Sequence, residues 1–389
     1  MDYDGFLPYY SNFRRESINT KNDFKKMKKI GIITFHRAHN YGAVLQCYAL
    51  SHILSNMGYQ VEVIDYYPSY LHNQYNLLPS IKNGIVLWLK TLIKLIPILN
   101  VKIKRMRLFN SFISSLPLSA YQYDENIDEI KGYDILIFGS DQIWNPLLSN
   151  GVDKVFSGFF KHDGTLFVSY AASTNPRICS DEYKYYFEKI LNSFDRISVR
   201  ENSLSNYLNA IRVNSSIVVL DPVLLLNKKE WSSIAISPKE ENYLLIYTVP
   251  QSPLVRKHAE FIAKAKGLQI IEITPAAKNV KGKEYRQVVG PRQFLGYFQN
   301  ASYIVTTSFH GTAFSIKFEK QFSNIQLGTS VDDRAFNLLE IVGLQEHAIP
   351  KNRILEEPMH INYSCIAAKL DDSVHKSISY IRDSINSKH

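Results

Sequence analysis

Short apolar runs alternate with helical patterns along most of the chain. The run at residues 30–34 predicts a buried strand, and a helical pattern from Ala43 to about Met57 leads to a second run at residues 61–65. A crossover of this length is typical of a parallel βαβ unit. Further strands are predicted at residues 134–138, 166–171, 196–199, 217–220, 243–247, 269–273, 303–306 and 322–325. The pattern therefore predicts an α/β fold of the doubly wound type.

The strand and helix pattern begins a second time in the C-terminal half, although no sequence repeat accompanies it. This predicts two α/β lobes facing a cleft, with the joint near Asp221. Residues 29–220 would form the N-terminal lobe, and residues 221–389 the C-terminal lobe. Residues 1–28 lack a sustained helical or strand period, which indicates a flexible N-terminal extension and makes Met27 an alternative native start.

Composition limits the class of protein. A chain of 389 residues with 45% hydrophobic residues is long enough to bury two cores without disulfides. The cysteines Cys47, Cys179 and Cys365 lie far apart and form no CxxC pair, which argues against a disulfide framework and a zinc site and favours a reducing compartment. The first residues lack a secretory signal and no apolar run reaches membrane-spanning length, so a cytoplasmic location is predicted.

The chain is basic, with a formal net charge of +9 and a pI near 9.1. This favours an anionic partner, such as a phosphate ester, an acidic lipid head group or a nucleic acid. The aromatic residues, 13% of the chain, are spread out rather than set on a basic stripe. No nucleic-acid partner is therefore predicted.

One apolar and basic segment interrupts the strand and helix pattern. Residues 85–99 combine apolar side chains with Lys90 and Lys94. The cations that follow are Lys102, Lys104, Arg105 and Arg107. An apolar helix with a cationic flank is typical of a peripheral membrane element, so residues 85–107 predict contact with the inner face of the membrane. The alternative is a helix that covers an ordinary core, with Pro97 limiting its length.

The most informative motif lies at the end of the predicted strand at residues 303–306. The apolar stretch delivers Ser308 and His310 to the point where Gly311 opens a helix-compatible segment. A histidine beside backbone N–H groups at the carboxyl end of a strand can hold an anion and exchange a proton near neutral pH. The alternative is a structural histidine that closes a strand-to-helix turn.

Two other strand ends carry charged side chains suited to a cleft. Ser140 and Asp141 follow one strand, where the carboxylate can act as a base or bind sugar hydroxyls. Helix capping is the alternative role of Asp141. Arg200 and Glu201 follow another strand, and the planar guanidinium of Arg200 can bind a carboxylate or phosphate at two points. A surface Arg–Glu pair is the alternative there.

The first predicted strand-to-helix loop contains His36, Arg37 and His39, followed by polar residues suited to an acceptor's hydroxyl or phosphate groups. No carboxylate or cysteine stands at zinc spacing from the two histidines, so no metal site is predicted. The motifs GxGxxG, GxxxxGK[ST] and GxSxG are absent. This removes the principal support for a dinucleotide-binding, P-loop or α/β-hydrolase function.

Six motifs in sequence order resemble the polysaccharide pyruvyl transferase family. They lie at residues 35–46, 139–145, 169–173, 198–201, 219–222 and 308–311. The resemblance runs from about Lys28 to about Leu344, and it implies a glycosyltransferase-B-like pair of Rossmann-type lobes, no required metal or cofactor, and phosphoenolpyruvate as donor substrate. The implied acceptor is a saccharide diol of a cell-surface polysaccharide precursor, such as an exopolysaccharide or capsule, whether or not it is linked to a lipid diphosphate.

The implied reaction and the motif positions assign expected roles. The expected catalytic residues are His310 as general acid, Arg200 as the anion-binding group and Asp141 as the residue that orients the diol. The expected substrate-binding residues are Asn40, Tyr41, Gly42, Gln46, Ser140, Gln142, Asn145, Glu201, Ser308, Phe309 and Gly311. The acceptor is expected on the N-terminal lobe.

Two other classes of function are open at this stage. The same two-lobed fold can bind a nucleotide sugar in its crevice, as a glycosyltransferase would. The motif set argues against this class. A non-catalytic carbohydrate-binding scaffold is the other, and the presence of both Arg200 and His310 argues against it.

Overall fold

The computed structural model describes residues 27–77, 85–124, 129–149, 151–160, 164–249, 252–280, 282–328, 332–353 and 358–387. The predicted N-terminal extension, residues 1–28, lies outside the described residues except for its last two positions.

The described strands form two sheets in which every pairing is parallel. The first sheet contains β1 (Lys29–Ile33), β2 (Gln60–Tyr66), β3 (Leu118–Tyr123), β4 (Ile135–Phe138), β5 (Leu166–Ala172), β6 (Arg196–Val199) and β7 (Ile217–Val218). The second contains β8 (Tyr243–Tyr247), β9 (Gln269–Ile273), β10 (Tyr285–Arg286), β11 (Tyr303–Thr306), β12 (Phe322–Gln326) and β13 (Ala348–Pro350).

Both sheets have the same doubly wound strand order. The orders are β3-β2-β1-β4-β5-β6-β7 and β10-β9-β8-β11-β12-β13. In each sheet the strand that comes first along the chain, β1 or β8, lies near the centre. The direction of winding reverses between β1 and β4 in the first sheet and between β8 and β11 in the second. The predicted fold class, an α/β protein with two Rossmann-type doubly wound lobes, is confirmed.

Helices connect the strands. They are α1 (Tyr41–Asn56), α2 (Ser69–Tyr75), α3 (Ile85–Leu95), α4 (Leu99–Ile113), α5 (Lys184–Ser193), α6 (Asn202–Ile211), α7 (Lys228–Ile234), α8 (Pro253–Lys266), α9 (Pro291–Asn300), α10 (Phe309–Lys317), α11 (Asp332–Val342) and α12 (Ser364–Asn386). Among the described helices, none is long and apolar enough to cross a membrane.

The central strands are apolar on both sides because both faces of each sheet are covered. Along β4, Ile135 and Ile137 pack into one hydrophobic core, whereas Leu136 and Phe138 pack into another. This continuous burial explains why the apolar runs predicted these strands. The edge strands β3, β10 and β13 were not predicted, since β3 is mostly polar or exposed and the other two have only two or three residues.

The two lobes pack tightly beside the cleft. The ring of Tyr41 stacks on Phe294 with a centroid distance of 4.3 Å, and its hydroxyl donates to the carbonyl of Val289. Arg105 Nη1 donates to the Tyr41 hydroxyl at 2.7 Å and to the carbonyl of Thr274 at 3.1 Å. Arg105 is only 5% exposed, so this cation of the basic segment joins the lobes instead of facing the surface.

The chain changes sheets between β7 and β8, around the predicted joint at Asp221. The last helix, α12, then returns to the first sheet. Its Tyr380 hydroxyl donates to the carbonyl of Ser169 at 2.9 Å, and the backbone N–H of Leu220 donates to Ser377 at 3.0 Å. Residues near the C-terminus therefore stabilise the N-terminal lobe.

Candidate active site

Ends of strands from both sheets contribute side chains to one cleft. Asp141 follows β4, Arg200 follows β6 and His310 follows β11. Asp221 lies between β7 and the 3₁₀ turn Pro222–Leu224. Ligands of doubly wound folds bind outside the carboxyl ends of the strands where the winding reverses, so this is the expected location of an active site.

Asp221 is the residue on which these side chains converge. Its Oδ2 accepts hydrogen bonds from Arg200 Nη1 at 2.7 Å and from Ser140 Oγ at 3.0 Å. The same oxygen lies 3.7 Å from His310 Nε2. Burial raises the pKa of Asp221, but His310, Arg200 and the backbone N–H of Val223 more than offset this and lower it below its ordinary value. Asp221 is therefore an anion at neutral pH.

His310 lies in the first turn of α10, where Ser308 caps the helix by accepting the N–H of Gly311 at 3.4 Å. The His310 side chain is 11% exposed, and its Nε2 atom is buried without a hydrogen-bond partner in the described part of the chain. A distance of 3.7 Å to Asp221 is too long for a hydrogen bond and allows only an ionic contact. The imidazole therefore keeps its hydrogen-bonding capacity for a ligand.

Gly42 lets His310 approach the start of α1. A Cβ atom at position 42 would lie 2.0 Å from His310 Nδ1. Asn40 caps this helix, since its side chain accepts the N–H groups of Gly42 and Ala43 at 2.9 and 3.3 Å. Asn40 and Gly42, both expected to bind substrate, thus build the wall of the first lobe against which the histidine of the second lobe lies.

Arg200 is buried, with 3% of its surface exposed. Its Nε donates to Glu201 Oε1 at 3.1 Å, its Nη2 to Ser173 Oγ at 3.0 Å, and its guanidinium lies 4.6 Å from the centre of the Phe309 ring. Burial lowers the pKa of Arg200, but the neighbouring carboxylates raise it above the ordinary value. The Arg200–Glu201 pair is therefore internal rather than at the surface. For the Arg200 guanidinium to bind a substrate anion at two points, contacts such as its hydrogen bond to Asp221 would have to break.

A second arginine, Arg334, lies on α11 of the second lobe and is half-buried. Burial and the positive charge of Arg200 lower its pKa, whereas Glu201 and Asp141 raise it. The neighbouring Asn337 donates to the carbonyl of Arg200 at 3.3 Å, which ties α11 to the end of β6. Arg334 is thus the more accessible of the two arginines.

Glu201 is buried and only partly satisfied. Its Oε1 accepts from Ser173 Oγ at 2.5 Å and from Arg200, while Oε2 has no hydrogen-bond partner in the described residues. Burial raises the pKa of Glu201, against the lowering effects of Arg200, Ser173 and Arg334. A buried carboxylate oxygen without a partner is unusual and is typical of functional sites.

Asp141 faces the cleft in an unusual backbone conformation. Its φ of 75° lies in the left-handed region, which non-glycine residues adopt mainly where the surroundings hold them there. Its Oδ1 is 3.7 Å from Arg200 Nη2 and accepts the N–H of Gln142 at 2.8 Å. Turns rather than a helix follow, so Asp141 caps no helix among the described residues. Asn145 donates to Gln142 at 2.9 Å and holds this turn together.

Gln46, Tyr41 and Ser140, three expected substrate-binding residues, have buried side chains that contact protein, and Ser140 Oγ donates to Asp221 as described above. Gln46 donates to Thr34 Oγ1 at 2.8 Å, and its Oε1 accepts the N–H of Ser140 at 3.1 Å. These bonds join the loops that follow β1 and β4. Tyr41, which is part of helix α1 rather than of the preceding loop, lies in the contact between the lobes. Their geometry suits positioning of the cleft walls.

The loop after β1 is held by Asp65. His36 Nε2 lies 3.0 Å from Asp65 Oδ1, and Arg37 donates to both carboxylate oxygens. Burial raises the pKa of Asp65, but His36 and Arg37 lower it to about 2. Within the described residues, no group of three or more His, Cys, Asp or Glu side chains could hold a metal ion.

A cavity of about 490 Å³ lies beside this loop, and Arg37, His39, Tyr67 and Tyr75 are among its lining residues. Burial raises the pKa of Tyr75 to about 12, and Asp141 adds to this effect. The loop after β1 supplies Arg37 and His39 to the cavity lining and leads directly to Gly42, which faces His310, so the cavity lies beside the cleft. It combines aromatic rings, a cation and imidazole groups on the N-terminal lobe.

Three residues near Arg200 were not among the site residues expected from the sequence, namely Asp221, Ser173 and Arg334. Asp221 and Ser173 stand in the motifs at residues 219–222 and 169–173, so a signal for both was present. Arg334 stands in no motif, and only the packing of α11 brings it near Arg200.

Comparison with solved structures finds likenesses of low similarity. The S. aureus MnaA–UDP co-structure has a TM-score of 0.47 and 10% identity, covering 93% of this chain and 99% of that chain. The Methanocaldococcus jannaschii UDP-GlcNAc 2-epimerase in complex with UDP-GlcNAc and UDP has a TM-score of 0.45 and 12% identity, covering 92% and 93%. For Arabidopsis thaliana UGT89C1 complexed with quercetin the TM-score is 0.40 and the identity 11%, with coverage of 92% and 94%. At these values the likenesses carry no argument about function.

Among curated proteins, none matches this sequence. The family model described as polysaccharide pyruvyl transferase matches residues 40–325, which is most of the chain. The matched range contains the clustered residues Asp141, Arg200, Asp221 and His310. The chain belongs to the polysaccharide pyruvyl transferase family.

Proposed function

We propose that this protein transfers a pyruvyl group from phosphoenolpyruvate to two hydroxyl groups of a saccharide, forming a pyruvate ketal and releasing phosphate. The observation that carries the proposal is the buried His310 Nε2, which has no hydrogen-bond partner in the described residues and lies 3.7 Å from the Asp221 carboxylate. A proton donor held beside a fixed anion suits a reaction that begins with protonation of a carbon atom. Membership of the family supports a transferase.

In the first step His310 donates a proton to the methylene carbon of phosphoenolpyruvate, and C2 becomes electrophilic. Asp221 stabilises the positive charge that the imidazole carries as the donor. Arg200 holds Asp221 through the 2.7 Å hydrogen bond and acts as a positioning residue. Gly42 supports the opposite edge of the imidazole ring.

The remaining steps conserve atoms and charge. One hydroxyl oxygen of the saccharide forms a bond to C2, the C2–O bond to phosphate breaks, and the second hydroxyl oxygen closes the ring. One hydroxyl proton restores the proton that His310 gave to the methylene carbon. The other hydroxyl proton goes to the departing phosphate. Asp141 faces the cleft with its carboxylate and would orient the diol.

The donor carries a carboxylate and a phosphate, so its site needs accessible positive charge. Arg334 provides that charge, because most of the hydrogen-bonding capacity of Arg200 is taken up by protein. The N-terminus of α10 contributes further, since backbone N–H groups and the helix dipole favour anions there. His310 itself lies in the first turn of this helix.

The acceptor is a saccharide of a cell-surface polysaccharide precursor, with or without a lipid diphosphate. The cavity of about 490 Å³ beside the β1 loop supports this part of the proposal, because Tyr67 and Tyr75 offer aromatic faces and Arg37 and His39 offer polar groups. Sugars combine C–H faces with hydroxyl edges and match such a lining. The reaction would take place in the cytoplasm, with no cofactor.

The donor is tested by incubating the purified protein with labelled phosphoenolpyruvate and, separately, with UDP-sugars, in the presence of a panel of lipid-diphosphate saccharides. We expect acceptor-dependent release of phosphate and a product heavier by one pyruvyl ketal group. EDTA is expected to leave turnover unchanged. Release of UDP from a UDP-sugar without phosphate release from phosphoenolpyruvate would overturn the proposal in favour of a glycosyltransferase.

The role of Arg334 is tested separately. Arg334→Gln should raise the KM for phosphoenolpyruvate at least about tenfold, the loss expected for one charge-assisted contact, without lowering the melting temperature. Arg353→Gln is the matched control, since Arg353 is an exposed arginine of the same lobe. An unchanged KM in Arg334→Gln would assign donor binding to other groups.

A further inference from the structure

A stripe of large apolar side chains is exposed on α3 and the turn that follows it. Leu89 is 49% exposed, Ile93 is 67% exposed and Ile96 is 70% exposed. Their spacing of four and three residues places them on one face of the helix and its 3₁₀ continuation, Ile96–Ile98. Contiguous exposed apolar groups on a protein surface mark an interaction site.

The stripe is distinct from the side of the helix that packs inward. Leu95 is buried, and Phe109 and Phe112 of the following helix α4 are part of the main hydrophobic core. The segment therefore covers a core, which is the alternative that the sequence analysis gives for residues 85–107. It also presents a second apolar face to solvent. Core packing accounts for the first face only.

The surroundings of the stripe are cationic. Lys90 and Lys94 are exposed and each follows a member of the stripe by one residue, and Lys104 and Arg107 of α4 are exposed as well. No Asp or Glu occurs anywhere in residues 66–123. This positive charge complements an anionic surface. It disfavours a partner that lacks acidic groups or is itself basic.

Two cations of the predicted set point elsewhere. Arg105 is 5% exposed and donates to carbonyl groups of the second lobe. Lys102 Nζ donates to the carbonyl of Asn76 at 2.5 Å. The expectation that Lys102 and Arg105 contact a membrane is therefore corrected, because both are engaged by the protein. The surface set, called here the α3 face, consists of Leu89, Lys90, Ile93, Lys94, Ile96, Lys104 and Arg107.

We propose that the α3 face docks on an anionic lipid surface. The apolar stripe enters the boundary between head groups and acyl chains, and the lysines and Arg107 bind lipid phosphates. Each cation near such a surface strengthens binding about fivefold at low salt. Salt weakens the attraction because the Debye length falls to about 10 Å at 0.1 M.

The α3 face adjoins the candidate acceptor cavity. Helix α4, which follows the stripe directly, supplies Met106, Asn110 and Ile113 to the cavity lining. Docking through this face brings the cavity close to the membrane, where a lipid-linked saccharide would be presented. This consequence rests on the proposed function, whereas docking itself does not.

The experiment measures sedimentation of the full chain with vesicles of phosphatidylglycerol and phosphatidylcholine, and with vesicles of phosphatidylcholine alone. Wild type is expected to sediment with the anionic vesicles at low salt and to be released at high salt. Two variants test the α3 face: Leu89→Ser/Ile93→Ser/Ile96→Ser, and Lys90→Gln/Lys94→Gln/Lys104→Gln/Arg107→Gln. Each should lower the bound fraction at least fivefold with an unchanged melting temperature.

Helix α8 of the second lobe offers a matched control. It exposes Leu254 and Phe261, each 38%, together with Lys257 and Lys264. Leu254→Ser/Phe261→Ser and Lys257→Gln/Lys264→Gln likewise replace exposed apolar residues with serine and exposed cations with glutamine, and they should leave vesicle binding unchanged. If these variants lose binding as much as the α3 variants do, attraction is non-specific and the proposal fails.

Two further outcomes would overturn it. Wild type that does not sediment with anionic vesicles at low salt excludes the lipid surface. A lipid-free dimer in analytical ultracentrifugation that the Leu89→Ser/Ile93→Ser/Ile96→Ser variant abolishes would assign the α3 face to a second copy of the chain. Neither readout uses pyruvyl transfer, so failure here is separate from failure of the proposed reaction.

Discussion

Arg200 and Asp221 form a buried ion pair in which Nη1 donates to Oδ2 at 2.7 Å and neither side chain is more than 2% exposed. The pair links the end of β6 to the segment where the chain leaves the first sheet. Because the same carboxylate oxygen lies 3.7 Å from His310 Nε2, Asp221 connects the arginine of one lobe to the histidine of the other.

Arg200→Lys is expected to weaken both the fold and the activity. Lysine keeps the charge but cannot donate to Asp221, Glu201 and Ser173 together. We expect the free energy of unfolding to fall by about 3 kcal/mol, the value for one or two lost hydrogen bonds to charged groups, and turnover to fall with it. Urea unfolding and steady-state kinetics measure the two effects. Arg196→Lys is the control, because Arg196 is an exposed arginine at the start of β6, the strand that Arg200 follows, and equal stability of the two variants would contradict the buried network.

His310→Gln is expected to remove the proton donor and leave the fold intact, since the side chain makes no hydrogen bond through Nε2 in the described residues. Turnover should fall about 10²–10⁴-fold, as for loss of a general acid. His258→Gln is the control, because His258 Nε2 on α8 is likewise buried and without a partner among these residues. Near-normal turnover in a folded His310→Gln variant would eliminate the assignment.

Gly42→Ala tests the close approach between the lobes. The added Cβ would lie 2.0 Å from His310 Nδ1, so the imidazole must move. A displacement of about 1 Å lowers turnover by roughly 100-fold. The kinetic cycle of Gly42→Ala, His310→Gln and the double variant measures the coupling. If the alanine acts through His310, the double variant is no slower than His310→Gln, whereas additive losses would show an independent effect.

Stability is expected to decrease as the pH falls below about 6.5, in part because of His347. This residue is 1% exposed, and burial lowers its pKa from the ordinary value of 6.5. The Phe322 carbonyl and Glu346 raise the pKa, whereas His360 lowers it further, and the net shift is downward. As the pH falls, His347 takes up a proton more readily in the unfolded chain than in the folded chain, so acid favours unfolding. Urea unfolding between about pH 5 and 8 should show a shallower pH dependence for His347→Gln than for wild type. Identical slopes would show that His347 is not involved.

The position of the central strands could be predicted from local sequence because each is buried on both faces. A strand such as β8, Tyr243–Tyr247, needs five consecutive apolar or aromatic residues, and that run is visible without any knowledge of its neighbours. The edge strands have no such requirement, which is why β3 and β13 carry no comparable signal. The direction of the basic segment's side chains also has no local signal, since Arg105 and Arg107 are indistinguishable until α4 is packed.

The sequence alone was sufficient for the α/β class, the family resemblance and the placing of His310, Arg200 and Asp141 at strand ends, because strand ends and motifs are properties of neighbouring residues. The tertiary structure decided which charged side chains lie close together. Asp221 lies between Arg200 and His310, and Arg334 reaches Arg200 from α11, only because two sheets pack with their strand ends towards one cleft. Electrostatic interaction falls with distance in space, and distance along the chain does not determine it.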